Sequence, residues 1–136
     1  REAFGFAANG EDHHAFSHHG GDAGMLAKVA EIDRFHLHKL ARFLRQLRNA
    51  DEAGGNLLNT TMVLFGSGIG DGSSHNKENL PLVLAGGQKL GLKHGSHLAF
   101  TGDRTPLANA LLTMLHAMGV AQERFADSTG TLAGLM

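Results

Sequence analysis

The sequence predicts an α/β fold, a partly parallel sheet flanked by helices. Three observations lead there. A long stretch after Asp22 repeats apolar residues at helical spacing, two short β-branched and apolar runs follow it, and a second apolar-sided helix closes the pattern. Near-continuous apolar strands of this length belong to sheets covered on both faces.

Taken in order, residues 1 to 22 are rich in Gly, His and Phe without a sustained period and read as an irregular entry. From Asp22 onward Met25, Val29, Ile32, His36, Leu40, Phe43 and Leu47 step by four and three, which is one face of a helix. Asp22 suits its N-cap and "NADEAGGN" its stop, so about 26 residues at about 1.5 Å each give a helix about 39 Å long. Arg34, Lys39, Arg42, Arg45 and Arg48 occupy its other faces as a solvated charge run. "NTTMVLFGSG" and "LPLVLAGG" are the two strands, and "HLAFTG" is a weaker third. In "RTPLANALLTMLHAMGV", Thr105 is the expected cap, Pro106 fits the first turn and Gly119 ends the helix. Its apolar side is Leu107, Leu111, Met114, Leu115 and Met118, a packing face.

Composition narrows the function classes. The 136 residues suit one domain, 1–136, with 42% hydrophobic and 18% charged residues, a globular balance. Twelve Lys and Arg against thirteen Asp and Glu leave a formal charge of -1, which provides no bulk attraction to nucleic acid or anionic membrane. The chain has no cysteine, so disulfides and thiolate metal sites are excluded. No apolar run reaches the roughly 20 residues of a membrane span. The sequence opens on Arg1 in "REAFGFAANG", neither an initiator nor an export signal, so a C-terminal piece of a longer protein is expected, with an upstream half that holds part of any active site.

Two segments could carry chemistry. "DHHAFSHHGGD" packs His13, His14, His18 and His19 beside Asp12 and Asp22. Imidazole-rich sets with carboxylates suit Zn²⁺ and its neighbours, whereas all-oxygen sets suit Ca²⁺ or Mg²⁺. The bland alternative is a rigid loop of mutually packed histidines. The second segment, "FGSGIGDGSSHNKENLP", follows the first strand and delivers Ser67, Asp71, Ser73, His75, Asn76 and Asn79, with glycines at 66, 68, 70 and 72 that allow backbone N–H groups to approach an anion. Neither G-x-G-x-x-G nor a P-loop fits it, and a polar turn capped by its own side chains is its bland reading. His36 interrupts the apolar stripe, which fits either a hydrogen-bonded core histidine or a ligand-supporting one. His38 reads as exposed, and His94, His97 and His116 have no acidic companions. Ser17 beside His18 lacks the G-x-S-x-G elbow of a nucleophile.

These motifs carry a resemblance. "HAFSHH" matches the H-x-x-S-H-H signature of a bacterial family of unknown function named for it, and the likeness continues through "IDRFH", "LLNTTMVLFGSGIGDGSSHNKENLPLVLAGG", "TPLAN" and "FADSTG". More distantly, the long helix, strand, glycine loop and "LPLVLAG" are similar to the C-terminal half of alkaline-phosphatase-like and sulfatase-like hydrolases. There His75 falls at a metal-ligand histidine, while Ser67-Gly68 stands where an Asp-His metal pair belongs. "FSHHGG" resembles a D-x-H-G stretch of a sister family, with His19 at the histidine and Ser17 at the aspartate.

The resemblance implies an exported, cell-envelope protein that hydrolyses a small phosphate or sulfate ester with a divalent metal, Zn²⁺ first, Mn²⁺ or Ca²⁺ as alternatives. His14, His18, His19, His75 and Asp71 are the expected ligands. Ser17, Ser67, Gly68, Gly70, Asn76, Asn79 and His36 are expected to bind the anion or support the ligands, with the backbone of residues 66 to 72 as the anion's cradle. The superfamily's nucleophile would lie upstream, so no catalytic residue is assigned. The alternative is an inactive binding or scaffolding module, for which the replaced carboxylates speak.

Overall fold

The computed structural model describes residues 12–100 and 104–136, whose described parts fall into two compact units, one of residues 12–45 and 64–83 and the other of residues 46–63, 84–100 and 104–136. The described elements are α1 (His13–Ser17), α2 (Ala23–Asn49), β1 (Asp51–Glu52), β2 (Gly55–Asn56), β3 (Met62–Gly66), β4 (Leu82–Gly86) and α3 (Leu107–Ala117), with single 3₁₀ turns at Leu57–Asn59 and Gln88–Leu90.

The expected parallel sheet is not there. Among the described residues the strands form two separate antiparallel pairs, β1 with β2 and β3 with β4. The connection explains why. A parallel partner needs a crossover of a dozen or more residues, usually a helix that carries the chain back to the starting edge. Between β3 and β4 the chain instead folds into a polar loop that closes on itself, with Gly70 N–H donating to the Asn76 carbonyl at 2.7 Å and Ser67 N–H to that of Pro81 at 3.3 Å. The strand therefore returns beside the one it left. Gly66 permits the return, because a Cβ there would collide with the Pro81 carbonyl and the Leu82 side chain. Residues 97–100 of the expected third strand are not a strand, and 101–102 lie outside the described residues, as do residues 1–11 of the irregular entry.

In the first unit α2 is the principal element. The Asp22 carboxylate accepts the Met25 N–H at 2.8 Å, capping the helix where the sequence placed the cap. Its inward positions are Met25, Val29, Ile32, Phe35, Leu40, Leu44 and Leu47, of which Ile32 is buried and the others half-buried. His36 and Phe43, assigned to that stripe from the sequence, are exposed. The reading of His36 as a core histidine is thus overturned: Phe35 and Leu44, each one residue along, take the inward positions. Before α2, Asp12 caps the single-turn α1 by accepting the Ala15 N–H at 2.9 Å. Phe16, 2% exposed, anchors that turn, with the Lys28 ammonium 4.5 Å above its ring. Burying one such phenyl ring contributes about 1.5–3 kcal/mol. No described helix is long and apolar enough to cross a membrane.

In the second unit the stop after α2 is a tight hairpin, β1–β2, which the sequence reading missed; Gly54 at φ 85° makes its turn. Another glycine-dependent turn lies at Gly86, where a Cβ would collide with the Thr61 carbonyl. Helix α3 begins after Pro106, with no side-chain cap from Thr105. It ends in a Schellman turn: Gly119, at φ 78°, donates to the His116 carbonyl, and Val120 donates to that of Leu115. The buried side is Ala108, Asn109, Ala110, Leu112 and Thr113, whereas Leu107 and Met118 of the expected apolar side are exposed.

Two polar residues on a buried face need partners, and the C-terminal segment supplies them. Asn109 exchanges two hydrogen bonds with Thr129, donating to its hydroxyl at 3.1 Å and accepting its N–H at 2.8 Å. The Thr113 hydroxyl donates to the Asn109 carbonyl and accepts the Leu132 N–H, both at 2.8 Å. Ser128, 1% exposed, closes its own turn by accepting the Phe125 N–H. This network clamps "FADSTGTL" to α3. Replacing Thr113 by Val keeps the shape but strands the Leu132 N–H, so a loss of about 1–3 kcal/mol in urea-unfolding stability is expected. A loss within error of zero would show that the clamp is dispensable.

Candidate functional site

The first unit brings the two chemistry-bearing segments together. Gly20 N–H donates to the Ser73 hydroxyl at 3.0 Å across 53 residues of sequence. Gly72 lies so close to α1 that a Cβ there would stand 2.8 Å from the Ser17 Cβ and 2.9 Å from its carbonyl oxygen. The His18 and His75 rings meet edge to face with centroids 4.9 Å apart, and His18 meets His14 in the same manner at 4.7 Å. His18 is therefore the middle ring of three, two from the α1 segment and one from the β3–β4 loop.

The loop is built on Asp71. One carboxylate oxygen accepts both the N–H and the hydroxyl of Ser74, each at 2.7 Å, and the Asp71 and Asn76 backbones pair as an antiparallel bridge. This Asx-type closure forces the chain around tightly, and His75 and Asn79 take left-handed backbone angles, φ 54° and 52°. Gly70 is required because a Cβ there would run into the Glu78 carbonyl. Ser74 escaped the sequence reading. Its signal was the Asp-x-x-Ser spacing, the same one by which a capping side chain reaches a backbone N–H three residues on.

The other Asp71 oxygen faces His19 Nε2 at 3.7 Å, and His19 Nδ1 accepts the Gly21 N–H at 3.1 Å. His19 thus stands between the Gly21 backbone and the Asp71 carboxylate, placed as a latch between the segments. His14, His18 and His75 differ: all three are exposed, and none makes a hydrogen bond or ion pair among the described residues. Their ring nitrogens are open to solvent. His94 and His116 lie in the other unit, their Nε2 atoms engaged by the carbonyls of Gly86 and Gln122.

The remaining expected residues divide similarly. Ser17 donates its hydroxyl to the His14 carbonyl at 2.8 Å, so it is tied into α1 and not poised as a nucleophile. Ser67 accepts the Ile69 N–H, and Asn76 accepts that of Glu78. The backbone cradle expected over residues 66 to 72 is largely consumed, since the N–H groups of Ser67, Ile69, Gly70 and Asp71 donate within the loop. Gly68 is open, with nothing within 4 Å of a Cβ position. Asn79 is exposed, and His36 stands beside His13 instead of the three-ring group.

The donor set matches a borderline transition ion. Two imidazoles on one tetrahedral Zn²⁺, with Zn–N bonds of about 2 Å, have ring centres about 5 Å apart, near both observed spacings. Edge-to-face aromatic packing gives similar separations. Among the described residues no group of three or more His, Asp or Glu side chains has its donor atoms converged on one ion position. The rings are gathered, but the ligand set is not closed. No protein-family model matches the chain, and neither a curated protein nor a solved structure matches it.

Two outcomes follow from the loop. At φ 54° an L side chain costs roughly 1–2 kcal/mol that glycine avoids, so His75→Gly is expected to unfold at higher urea than His75→Ala; the reverse order would remove the strain argument. The Ser74 N–H and hydroxyl hold the Asp71 carboxyl below its ordinary value of 3.8, with a smaller contribution from His19. A lowered folded-state value stabilises the fold above the ordinary one and loses that contribution as pH falls through this range. Wild type should therefore lose more stability than Asp71→Asn between pH 5 and pH 3, and parallel losses in urea titrations would contradict this.

Proposed function

We propose that the first unit binds a divalent transition ion through His14, His18 and His75, and that this ion serves the hydrolysis of a small phosphate or sulfate ester by an exported bacterial protein of the H-x-x-S-H-H type. One observation carries the metal reading. Three imidazoles from two distant segments lie ring to ring with no nitrogen hydrogen-bonded among the described residues, while the neighbouring histidine of the same motif accepts a backbone N–H and faces a carboxylate. Evenly packed structural histidines would show no such division. Zn²⁺ is the preferred ion, with Mn²⁺ or Ca²⁺ less suited to nitrogen donors.

In this reading the latch of His19 and Asp71, with Ser73 on Gly20, holds the β3–β4 loop against α1 and keeps His75 beside His18. When bound, the ion would polarise an ester oxygen and lower the pKa of a bound water. The ester specificity and the cell-envelope location rest on the motif resemblance alone, because the antiparallel strands withdraw the support that a parallel sheet would have lent.

A second reading has its own observation. Ser67-Gly68 stands where the similar hydrolases carry an Asp-His pair, and the Asp71 carboxylate is already engaged. A chain so arranged would serve as a binding or scaffolding module of the envelope. Metal analysis of the purified chain, with His18→Ala and His75→Gly, tests the site; stoichiometric Zn²⁺ that falls below half in each variant is the expected result, and unchanged stoichiometry in both defeats it. Aryl phosphate and aryl sulfate turnover that stops with chelator favours the hydrolase, and metal binding without turnover favours the module.

A further inference from the structure

A second pair of exposed imidazoles meets elsewhere in the first unit. His13 on α1 and His36 on α2 face each other with ring centroids 6.0 Å apart and planes inclined at 62°. Both are exposed, and neither makes a hydrogen bond or ion pair among the described residues. The two rings come from separate helices, so their meeting is set by how α1 packs on α2 and not by adjacency in the chain. His36 has lost the core role that its place in the sequence stripe suggested, which leaves its imidazole with the His13 and Phe35 rings as its contacts.

We infer that His13 and His36 form a second metal site, a two-imidazole seat for a late first-row divalent ion that holds Cu²⁺ most tightly, with water completing the shell. Two nitrogen ligands on one ion stand with ring centres about 4.5–5 Å apart at metal–nitrogen bonds of about 2 Å, so closing the observed gap takes about 1 Å or slightly more, within reach of side-chain rotation at two exposed positions. With two imidazole donors and no third His, Asp or Glu converging on them among the described residues, affinity follows the general order in which Cu²⁺ exceeds Ni²⁺ and Zn²⁺ and far exceeds Mn²⁺. An ion here ties α1 to α2 and stiffens the turn that carries His14 and His18. The site stands independently of the proposed function, since it shares no ligand with it.

The test uses the full chain carrying His18→Ala and His75→Gly, which removes the three-ring group. Cu²⁺ titrated by calorimetry should still bind at one equivalent, and its electron paramagnetic resonance spectrum should show splitting from imidazole nitrogen. Adding either His13→Gln or His36→Gln should weaken that binding about tenfold or more. Circular dichroism at helix wavelengths confirms that these exposed substitutions leave α1 and α2 formed. No Cu²⁺ binding in the parent double variant overturns the inference, as does a second substitution that leaves affinity within about twofold. Failure of the proposed function would instead appear as unchanged Zn²⁺ content on removing His18 and His75.

Discussion

The site depends on the contact of Gly72 with Ser17. The loop between β3 and β4 reaches α1 only because residue 72 has no side chain: its backbone passes where a Cβ would meet the Ser17 Cβ and carbonyl. The other links across this contact are modest. An exposed hydrogen bond from Gly20 to Ser73 contributes on the order of 1 kcal/mol, and a His19–Asp71 pair at 3.7 Å on a half-open surface contributes less. They align the segments once the close approach has been made. His18 then has a ring from each side, and the motif's histidines gain a neighbour that the motif alone does not supply.

The same economy of small and polar residues organises the second unit. Asn109 and Thr113 occupy inward positions of α3 that a purely apolar reading would have given to leucines. They are tolerated there because the segment that follows α3 returns to hydrogen-bond them, and no buried side-chain polar atom among the described residues lacks a partner. A polar residue on a helix's buried face is a demand for a specific partner, so it fixes which stretch of chain packs on α3. Leucines at the same positions would accept any apolar surface and would leave the path of residues 125–132 less determined.

What could be read from the sequence follows this physics. Local signals were legible: the Asp22 cap, the length of α2, the two apolar strands and the glycine stop at Gly119 all depend on residues within a turn or two of one another. The pairing direction of β3 and β4 was not, because it depends on whether fifteen intervening residues carry the chain back or close on themselves, and the decisive bonds, Gly70 to Asn76 and Ser74 to Asp71, were legible only as a generic polar turn. The buried faces of α2 and α3 were off by one residue for a related reason. A hydrophobic stripe is wider than the part that is covered, and which edge of it is covered is a tertiary fact. The candidate residues were found by type, but their roles were not, since spacing cannot tell an occupied nitrogen from a free one.

That last distinction explains why one short segment holds so many imidazoles. Histidine has two nitrogens, and in a folded chain the useful question is where each of them goes. At His19 one accepts from the backbone and the other faces a carboxylate, and at His94 and His116 a backbone carbonyl takes Nε2. These rings hold the fold in place much as Asn or Ser would. At His14, His18 and His75 the neighbours among the described residues are other rings, and the ring nitrogens are left to solvent. Their ring nitrogens face solvent, whereas those of His94 and His116 that bond to the backbone are already committed to the fold.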